Sequence, residues 1–206
     1  MPSPNVGKKL GTVSVLRRPM DCMQLCFRYR EAHRAYHTLQ HLKECFEHFD
    51  GARQLAVHPF EVALALWFHD AIYDPRATDC EAQSAAWAAE CLLHAGAVSE
   101  QIERVSGLIL ATKHASSEGS IDCGFLLDTD LSILSASRPR FVEYEAQVRC
   151  EYSWVPEKAF HKTRGAILAR FLQRPASTLP TISPIYSSRT RARTFATRLN
   201  GSASNS

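Results

Sequence analysis

The segment RAYHTLQH, which spans Arg34 to His41, places two histidines four residues apart. On a helix this spacing is close to one turn, so His37 and His41 point out from the same side. Two imidazoles presented together suit a site that binds a transition metal. The pair therefore marks the first candidate functional site of the chain.

Two later segments add residues with the same chemistry. WFHDAIYD contains His69 and Asp70 at the end of an apolar run, and FLLDTDLSIL contains Asp128 and Asp130. Each segment alone is common by chance, whereas His, His-Asp and Asp in this order, all on predicted helices, form a specific combination. A zinc protease is not predicted, because its signature needs a glutamate general base where this chain has Thr38.

The segments that position these residues are predicted to be helices. The alternation of apolar and polar residues that is typical of strands never extends far. The first predicted helix covers Tyr29 to Phe49, and Pro59 begins the second. A third helix runs from a capping box at Thr78–Glu81 to Gly96, and a fourth from Ser99 to about His114. A short helix capped by Asp128 and two helices that begin at Pro139 and Pro156 complete the set. Loops are predicted at 71–76 and 115–124. The sum predicts an all-α domain.

Composition limits the class of protein. The 206 residues are 45% apolar, enough for one domain with its own core, and contain no uninterrupted apolar run of the roughly 18 residues that a membrane span needs. The odd number of cysteines, seven, favours a reducing, cytoplasmic setting. A metal or redox role for Cys22 and Cys26 is the minor alternative.

Charge is uneven along the chain. No acidic residue follows Glu157, and that last segment carries nine Lys or Arg. We expect residues 1–20 to be disordered, with a transit peptide as the alternative, and residues 175–206 to form an irregular basic tail with a short helix near 191–199. The tail is either simply solvated or attracts an anionic substrate or nucleic acid. A nucleic-acid partner is the weaker hypothesis, since no aromatic residues lie among the basic residues at a spacing suited to contacts with bases.

Three sequence blocks carry a family resemblance. They comprise Tyr29, His33, Arg34, Tyr36, His37 and His41, then residues 67–74, then residues 127–134. Over about residues 27–174 the chain resembles the HD superfamily of metal-dependent phosphohydrolases, and most of all a bacterial-type branch of it. Residues 111–114 and 151–156 also look like that branch. The resemblance implies a single helical bundle over residues 21–174 with a metal site in its core.

The resemblance also implies roles. The first block is similar to the Tyr-His-Asn-x-x-His of cyclic-nucleotide phosphodiesterases, which makes His37 the general acid. The implied metal ligands are His41, His69, Asp70 and Asp130. Asp128 competes with Asp130 and is otherwise a helix cap. Mixed nitrogen and oxygen ligands suit Mn, Fe, Co, Ni, Zn or, less well, Mg.

Four further residues are candidate substrate contacts. Arg34 and Arg164 either grip phosphate or form salt bridges, and Lys113 and His114 either reach the site or end a helix. The implied activity is hydrolysis of a phosphate ester or anhydride of a nucleotide or another small molecule. The alternative is a non-catalytic metal- or nucleotide-binding sensor of the same fold. Interruption of the first helix by Pro19 and loss of acidic residues over 185–200 depart from the branch.

Overall fold

The computed structural model describes residues 19–113 and 119–173, and every regular element in these ranges is helical. Short 3-10 helices follow the second and sixth α-helices, at Arg53–Leu55 and Leu131–Ser135. The α-helices are α1 (Pro19–Arg28), α2 (Leu39–Ala52), α3 (Pro59–Phe68), α4 (Cys80–His94), α5 (Ser99–Ala111), α6 (Ile121–Asp130), α7 (Arg138–Glu151) and α8 (Glu157–Gln173). The all-α prediction is therefore confirmed. His114 and the tail beyond 173 lie outside the described residues.

Helix α3 forms the centre of the bundle. Its sequence is apolar on every face, which is the pattern of a helix that is fully surrounded. It contacts α2, α4, α5 and α6, and its side chains from Val62 to Leu66 are all buried. Pro59 occupies its first turn as predicted, and His69 caps its C-terminal end. The His-Asp pair is thereby anchored at the end of the most buried element.

Two apolar clusters share the interior. The larger one joins α1 to α6 around α3. The smaller one is built from α7, α8, the Leu131–Ser135 helix and Tyr36. Tyr36 comes from the segment between α1 and α2, so this segment packs against the smaller cluster. Within the described ranges, no helix has the combination of length and apolarity needed to cross a bilayer.

Several predicted boundaries are confirmed and others are wrong. Helix α4 ends as expected, because Gly96 adopts φ 77° and the N–H groups of Gly96 and Ala97 close the turn on Leu93 and Leu92. The capping box is wrong, since Asp79 rather than Thr78 precedes α4 and makes no side-chain cap bond.

Ser99 is the first residue of α5 and not its cap. The predicted loop at 115–124 is partly wrong, because α6 already begins at Ile121 with Ser120 as its cap. Asp128 lies inside α6, so its predicted role as a helix cap is also wrong. The cap is supplied instead by the Ser120 hydroxyl, which accepts from the backbone N–H of Cys123.

The predicted helix Tyr29–Phe49 begins ten residues later than expected. Residues 29–38 form turns, and α2 starts at Leu39 after Thr38, whose hydroxyl accepts from the N–H of Gln40. The backbone N–H groups of residues 35–37 donate to the side chain of Glu151 instead of to carbonyl oxygens of a helix. His37 therefore does not share a helix with His41, and the one-turn argument for the pair is wrong.

Asp122 offers a test of how α6 is held to α3. Its carboxylate is 5% exposed and accepts from the backbone N–H of Val57 at 2.7 Å, the N–H of His58 at 3.0 Å and the His58 ring at 2.9 Å. We expect Asp122→Ala to lower the free energy of unfolding by about 2 kcal/mol, because three partly exposed donors lose a charged acceptor. Urea unfolding measures the change. Asp50→Ala, at an exposed position of α2, should stay within about 0.5 kcal/mol of wild type.

Candidate metal centre and cleft

Four side chains from three helices converge on one point. His41 comes from α2, His69 and Asp70 follow α3, and Asp130 is the last residue of α6. The Nε2 atoms of His41 and His69 lie 3.1 Å apart. Asp70 Oδ2 lies 3.0 Å from His69 Nε2 and 3.5 Å from His41 Nε2, and Asp130 Oδ1 lies 3.5 Å and 3.3 Å from the same nitrogens. The four residues predicted as ligands are thus together.

These separations match the spacing of ligands around one ion. Atoms bound at about 2.1 Å in tetrahedral or octahedral geometry lie about 3.0–3.4 Å from one another. Both imidazoles are buried, and the Asp70 and Asp130 side chains are only 19% and 14% exposed. Two nitrogens and two carboxylate oxygens with this spacing could hold a divalent cation.

The ring orientation of His69 supports the same arrangement. Its Nδ1 lies 2.8 Å from the carbonyl oxygen of Leu66 and can donate to it. A histidine fixed in this way presents the lone pair of Nε2 to its neighbours, which is how most metal-binding histidines are held. The Leu66 carbonyl belongs to the last turn of α3, so the helix itself sets the ring.

Electrostatics shows how strongly the four groups interact. Burial alone would lower the pKa of His69 and raise that of Asp70. The mutual attraction of these two groups reverses both effects, so the pKa of His69 lies well above its usual range and that of Asp70 well below. The pKa of His41 is likewise raised despite burial, with Cys45, Tyr36 and hydrogen bonds to Asp130 and Asp70 as the causes. The site favours positive charge at its centre.

Cys45 is a competing member of the cluster. Its sulfur lies with ligand atoms of His41, His69 and Asp130 within 4.8 Å of one another, so this buried set could also hold an ion. However, Cys45 Sγ is 3.7 Å from both Nδ1 and Nε2 of His41. An atom equally distant from both nitrogens lies beside the ring and not along the Nε2 lone pair. Asp70, at 3.0 Å and 3.5 Å from the two Nε2 atoms, fits the fourth position better.

His37 reaches the site from the loop before α2. Its Nδ1 lies 2.7 Å from Oε2 of Glu151, the last residue of α7, and its ring stacks on Tyr73 with 4.1 Å between centroids. The His37 side chain is 22% exposed, and its ring centroid is 5.9 Å from that of His41. Because Glu151 engages Nδ1, Nε2 is the nitrogen left to face a ligand.

Glu151 organises the whole loop. Its Oε1 accepts from the backbone N–H groups of Ala35, Tyr36 and His37 at 2.8–3.0 Å, and its Oε2 accepts from the Tyr73 hydroxyl at 2.7 Å. Burial would raise the pKa of Glu151, but the bonds from His37, its backbone and Tyr73 lower it to about 2. Glu151 is therefore a buried carboxylate that stays ionised. The sequence assigned it no role, because its partners in the 35–37 loop are more than 100 positions away and Tyr73 is 78 positions away.

The residues predicted as substrate contacts fall into three groups. Arg34 has a fully buried side chain that donates to Glu31 and to the carbonyl oxygens of His37, Asp70 and Ala71. Of the two roles predicted for Arg34, these contacts match the salt bridge and not a phosphate contact. They connect the His37 loop to the end of α3. Lys113 and Arg164 line the cleft described next, and His114 lies outside the described residues.

A cleft of about 450 Å³ opens over the centre. His69, Asp70 and Asp130 form part of its lining together with His37, and Tyr73, Tyr144 and Tyr152 contribute aromatic walls. Lys113 donates to the carbonyl oxygen of Thr78 at 2.7 Å, and Arg164 pairs with Glu145 at 2.8 Å. The volume suits a small molecule, and the two cations place positive charge on the wall.

Comparison of the chain with protein-family models, curated proteins and solved structures finds no match. The interpretation of the site consequently depends on its own geometry.

The competition between Asp70 and Cys45 gives a direct test. We expect protein purified without chelator to contain about one divalent transition metal per chain, because two nitrogens and two oxygens are correctly spaced to bind it. Asp70→Ala and His69→Ala should lose the metal, and Cys45→Ser should retain it. Elemental analysis measures the content. Metal loss in Cys45→Ser with retention in Asp70→Ala would reverse the assignment.

The depressed pKa of Glu151 predicts how stability depends on pH. A carboxylate with a pKa near 2, against about 4.5 in the unfolded chain, stabilises the fold above pH 4.5 and loses this contribution as pH falls toward 2. In metal-free protein, Glu151→Gln should cost about 3 kcal/mol near neutral pH and progressively less in acid. Urea unfolding at a series of pH values measures this, with Glu157→Gln, exposed at the start of α8, as the control. A cost that does not change with pH would contradict the assignment.

Proposed function

We propose that the protein is a metal-dependent phosphohydrolase of the HD superfamily. Its substrate is a phosphate ester or anhydride of a nucleotide or another small molecule. The observation that carries the proposal is that a candidate metal site and a candidate proton donor meet in one cleft. The Nε2 atoms of the two buried histidines each lie 3.0–3.5 Å from one oxygen of Asp70 and one of Asp130. The nearby His37 imidazole is held by the buried carboxylate of Glu151.

The ligand set supports the first half of the chemistry. His41, His69, Asp70 and Asp130 would hold the ion, and their mixed donors suit Mn, Fe, Co, Ni, Zn or, less well, Mg. A divalent ion, when bound, supplies Lewis acidity toward the phosphoryl oxygens and a water molecule of lowered pKa. Arg34 keeps the backbone carbonyl of Asp70 in place, which positions that ligand relative to the cleft.

His37 supports the second half, protonation of the leaving oxygen. Its Nδ1–H donates to Glu151, so Nε2 is the atom that carries the transferable proton. The ionised Glu151 fixes the plane of the His37 ring, in the way a carboxylate orients a catalytic histidine in other hydrolases. Stacking on Tyr73 restricts the ring further.

The cleft wall supports an anionic substrate. Lys113 and Arg164 line the same cleft as the acidic ligands, and both side chains carry hydrogen-bond donors that suit phosphate oxygens. Tyr152 also lines the cleft, and its ring is a surface on which a flat group such as a base could stack. A sensor of the same fold would need the ligand set, but it would have no use for a carboxylate that holds a partly exposed imidazole.

The two histidines of the opening motif should behave differently. His37→Ala should retain the metal and lose roughly 10²- to 10⁴-fold in kcat, because proton donation is lost. The loss should shrink on a nitrophenyl phosphate, whose leaving oxygen needs little protonation. His41→Ala should lose metal and activity together. Phosphate release and elemental analysis on the same preparations separate these outcomes.

His48→Ala is the matched control, since His48 is exposed on α2 and should change neither property. Loss of metal in His37→Ala would make the pair two ligands and reject the general-acid role. The activity itself is tested by a phosphate-release screen over nucleotides and phosphate monoesters with Mn²⁺, Co²⁺, Zn²⁺ and Mg²⁺. No release from any substrate with a metal-loaded protein would reject the enzyme and leave the sensor.

A further inference from the structure

The Tyr36 hydroxyl stands out among the described residues. Its oxygen is inaccessible to solvent and has no hydrogen-bond partner, and it is the only such side-chain atom in residues 23–113 and 119–170, whose side chains the structure describes. Tyr36 as a whole is 4% exposed. Burying a hydroxyl without a partner destabilises a fold, and phenylalanine would fill the same space without this cost. The hydroxyl therefore needs an explanation outside packing.

The position of Tyr36 indicates what its partner is. The ring lies 4.7 Å from that of His41 and 4.9 Å from that of His37, measured between centroids, and Tyr36 lines the same cleft. Its pKa is raised well above the usual range, first by burial and then by Tyr144, Asp130 and Cys45, while His41 opposes the shift. The Tyr36 ring thus packs beside the histidines of the site, and its hydroxyl interacts electrostatically with Asp130.

Asp130 is the oxygen-bearing ligand among these neighbours. It faces the two imidazoles through Oδ1, at 3.3 Å from His41 and 3.5 Å from His69. A carboxylate that gives one oxygen to a cation keeps the other for a hydrogen bond, and ligating carboxylates are regularly oriented by an outside donor. The Tyr36 hydroxyl can donate such a hydrogen bond, whereas phenylalanine at this position could not.

We infer that Tyr36 is a positioning residue of the metal centre, whose hydroxyl donates to the Asp130 carboxylate when the ion is held. The inference rests on the proposed metal centre, and it adds a residue to which the family resemblance assigned no role. It explains why the hydroxyl is kept in an apolar cluster. The hydroxyl weakens the metal-free fold and gains its partner only in the loaded one.

Tyr144 provides a matched comparison. Its ring packs on that of Tyr36 with 4.4 Å between centroids, and it is also buried. Its hydroxyl, in contrast, is hydrogen-bonded to Arg164. Removing the hydroxyl from either tyrosine keeps the ring packing. The two variants therefore differ only in whether the lost oxygen had a hydrogen-bond partner in the metal-free protein.

The experiment measures thermal unfolding and Co²⁺ affinity in the full chain after removal of metal with EDTA. Metal-free Tyr36→Phe should unfold about 2–4 °C above metal-free wild type, because an unpaired buried hydroxyl is removed. Its affinity for Co²⁺, by calorimetric titration, should be about 10- to 100-fold weaker. Metal-free Tyr144→Phe should unfold at lower temperature than wild type and keep its Co²⁺ affinity.

The Asp130→Asn background locates the partner. There the amide oxygen can still face the ion, while the amide NH2 group replaces the oxygen that would accept from Tyr36, so adding Tyr36→Phe should weaken Co²⁺ binding no further. Additional weakening would overturn the assignment to Asp130, and an unchanged affinity in the Tyr36→Phe single variant would overturn the role altogether. If wild type itself fails to bind Co²⁺, the proposed metal centre fails and the inference fails with it. A bound metal without phosphatase activity rejects only the proposed reaction.

Discussion

The cost of burying four ionisable side chains together is the constraint on which this fold depends. Two imidazoles and two carboxylates are largely withdrawn from water, and each isolated charge would be strongly unfavourable there. Their close spacing offsets the cost by mutual attraction, and a shared cation would offset it further. The remaining parts of the bundle can be understood as the supports that keep these groups at that spacing.

Those supports come from outside the ligand set. The apolar helix α3 carries His69 and Asp70 at its end, and the buried Arg34 satisfies the carbonyl oxygens of Asp70 and Ala71 that follow it. Glu151 does the same for the N–H groups of the loop that presents His37. Arg34 makes four hydrogen bonds and Glu151 accepts five, so the two charged supports fix the segments that present Asp70 and His37 to the cleft.

Local signals explain which parts could be predicted from sequence. Pro59 and the apolar run behind it identify α3 and place His69 at its end, since both signals depend only on neighbouring residues. The residues before Leu39 were predicted as helix because the helical spacing of the apolar residues over 39–49 was extended back to Tyr29. Their actual turns depend on Glu151, more than 100 residues later, and no local pattern reports such a contact. The unpaired hydroxyl of Tyr36 is likewise a property of packing alone.

The hydrogen bonds between Glu151 and the 35–37 loop span about 115 positions of chain. The helices that bring the two imidazoles and two carboxylates together are complete at residue 130, one whole helix before Glu151 appears. During synthesis from the N-terminus, the part of the chain that can attract an ion therefore emerges before the part that orients His37. A nascent or truncated chain that ends before α7 would contain the four side chains that could hold an ion, but it would lack the carboxylate that holds the His37 ring. The candidate ligands and the support of His37 therefore come from different segments, and a truncation could separate them.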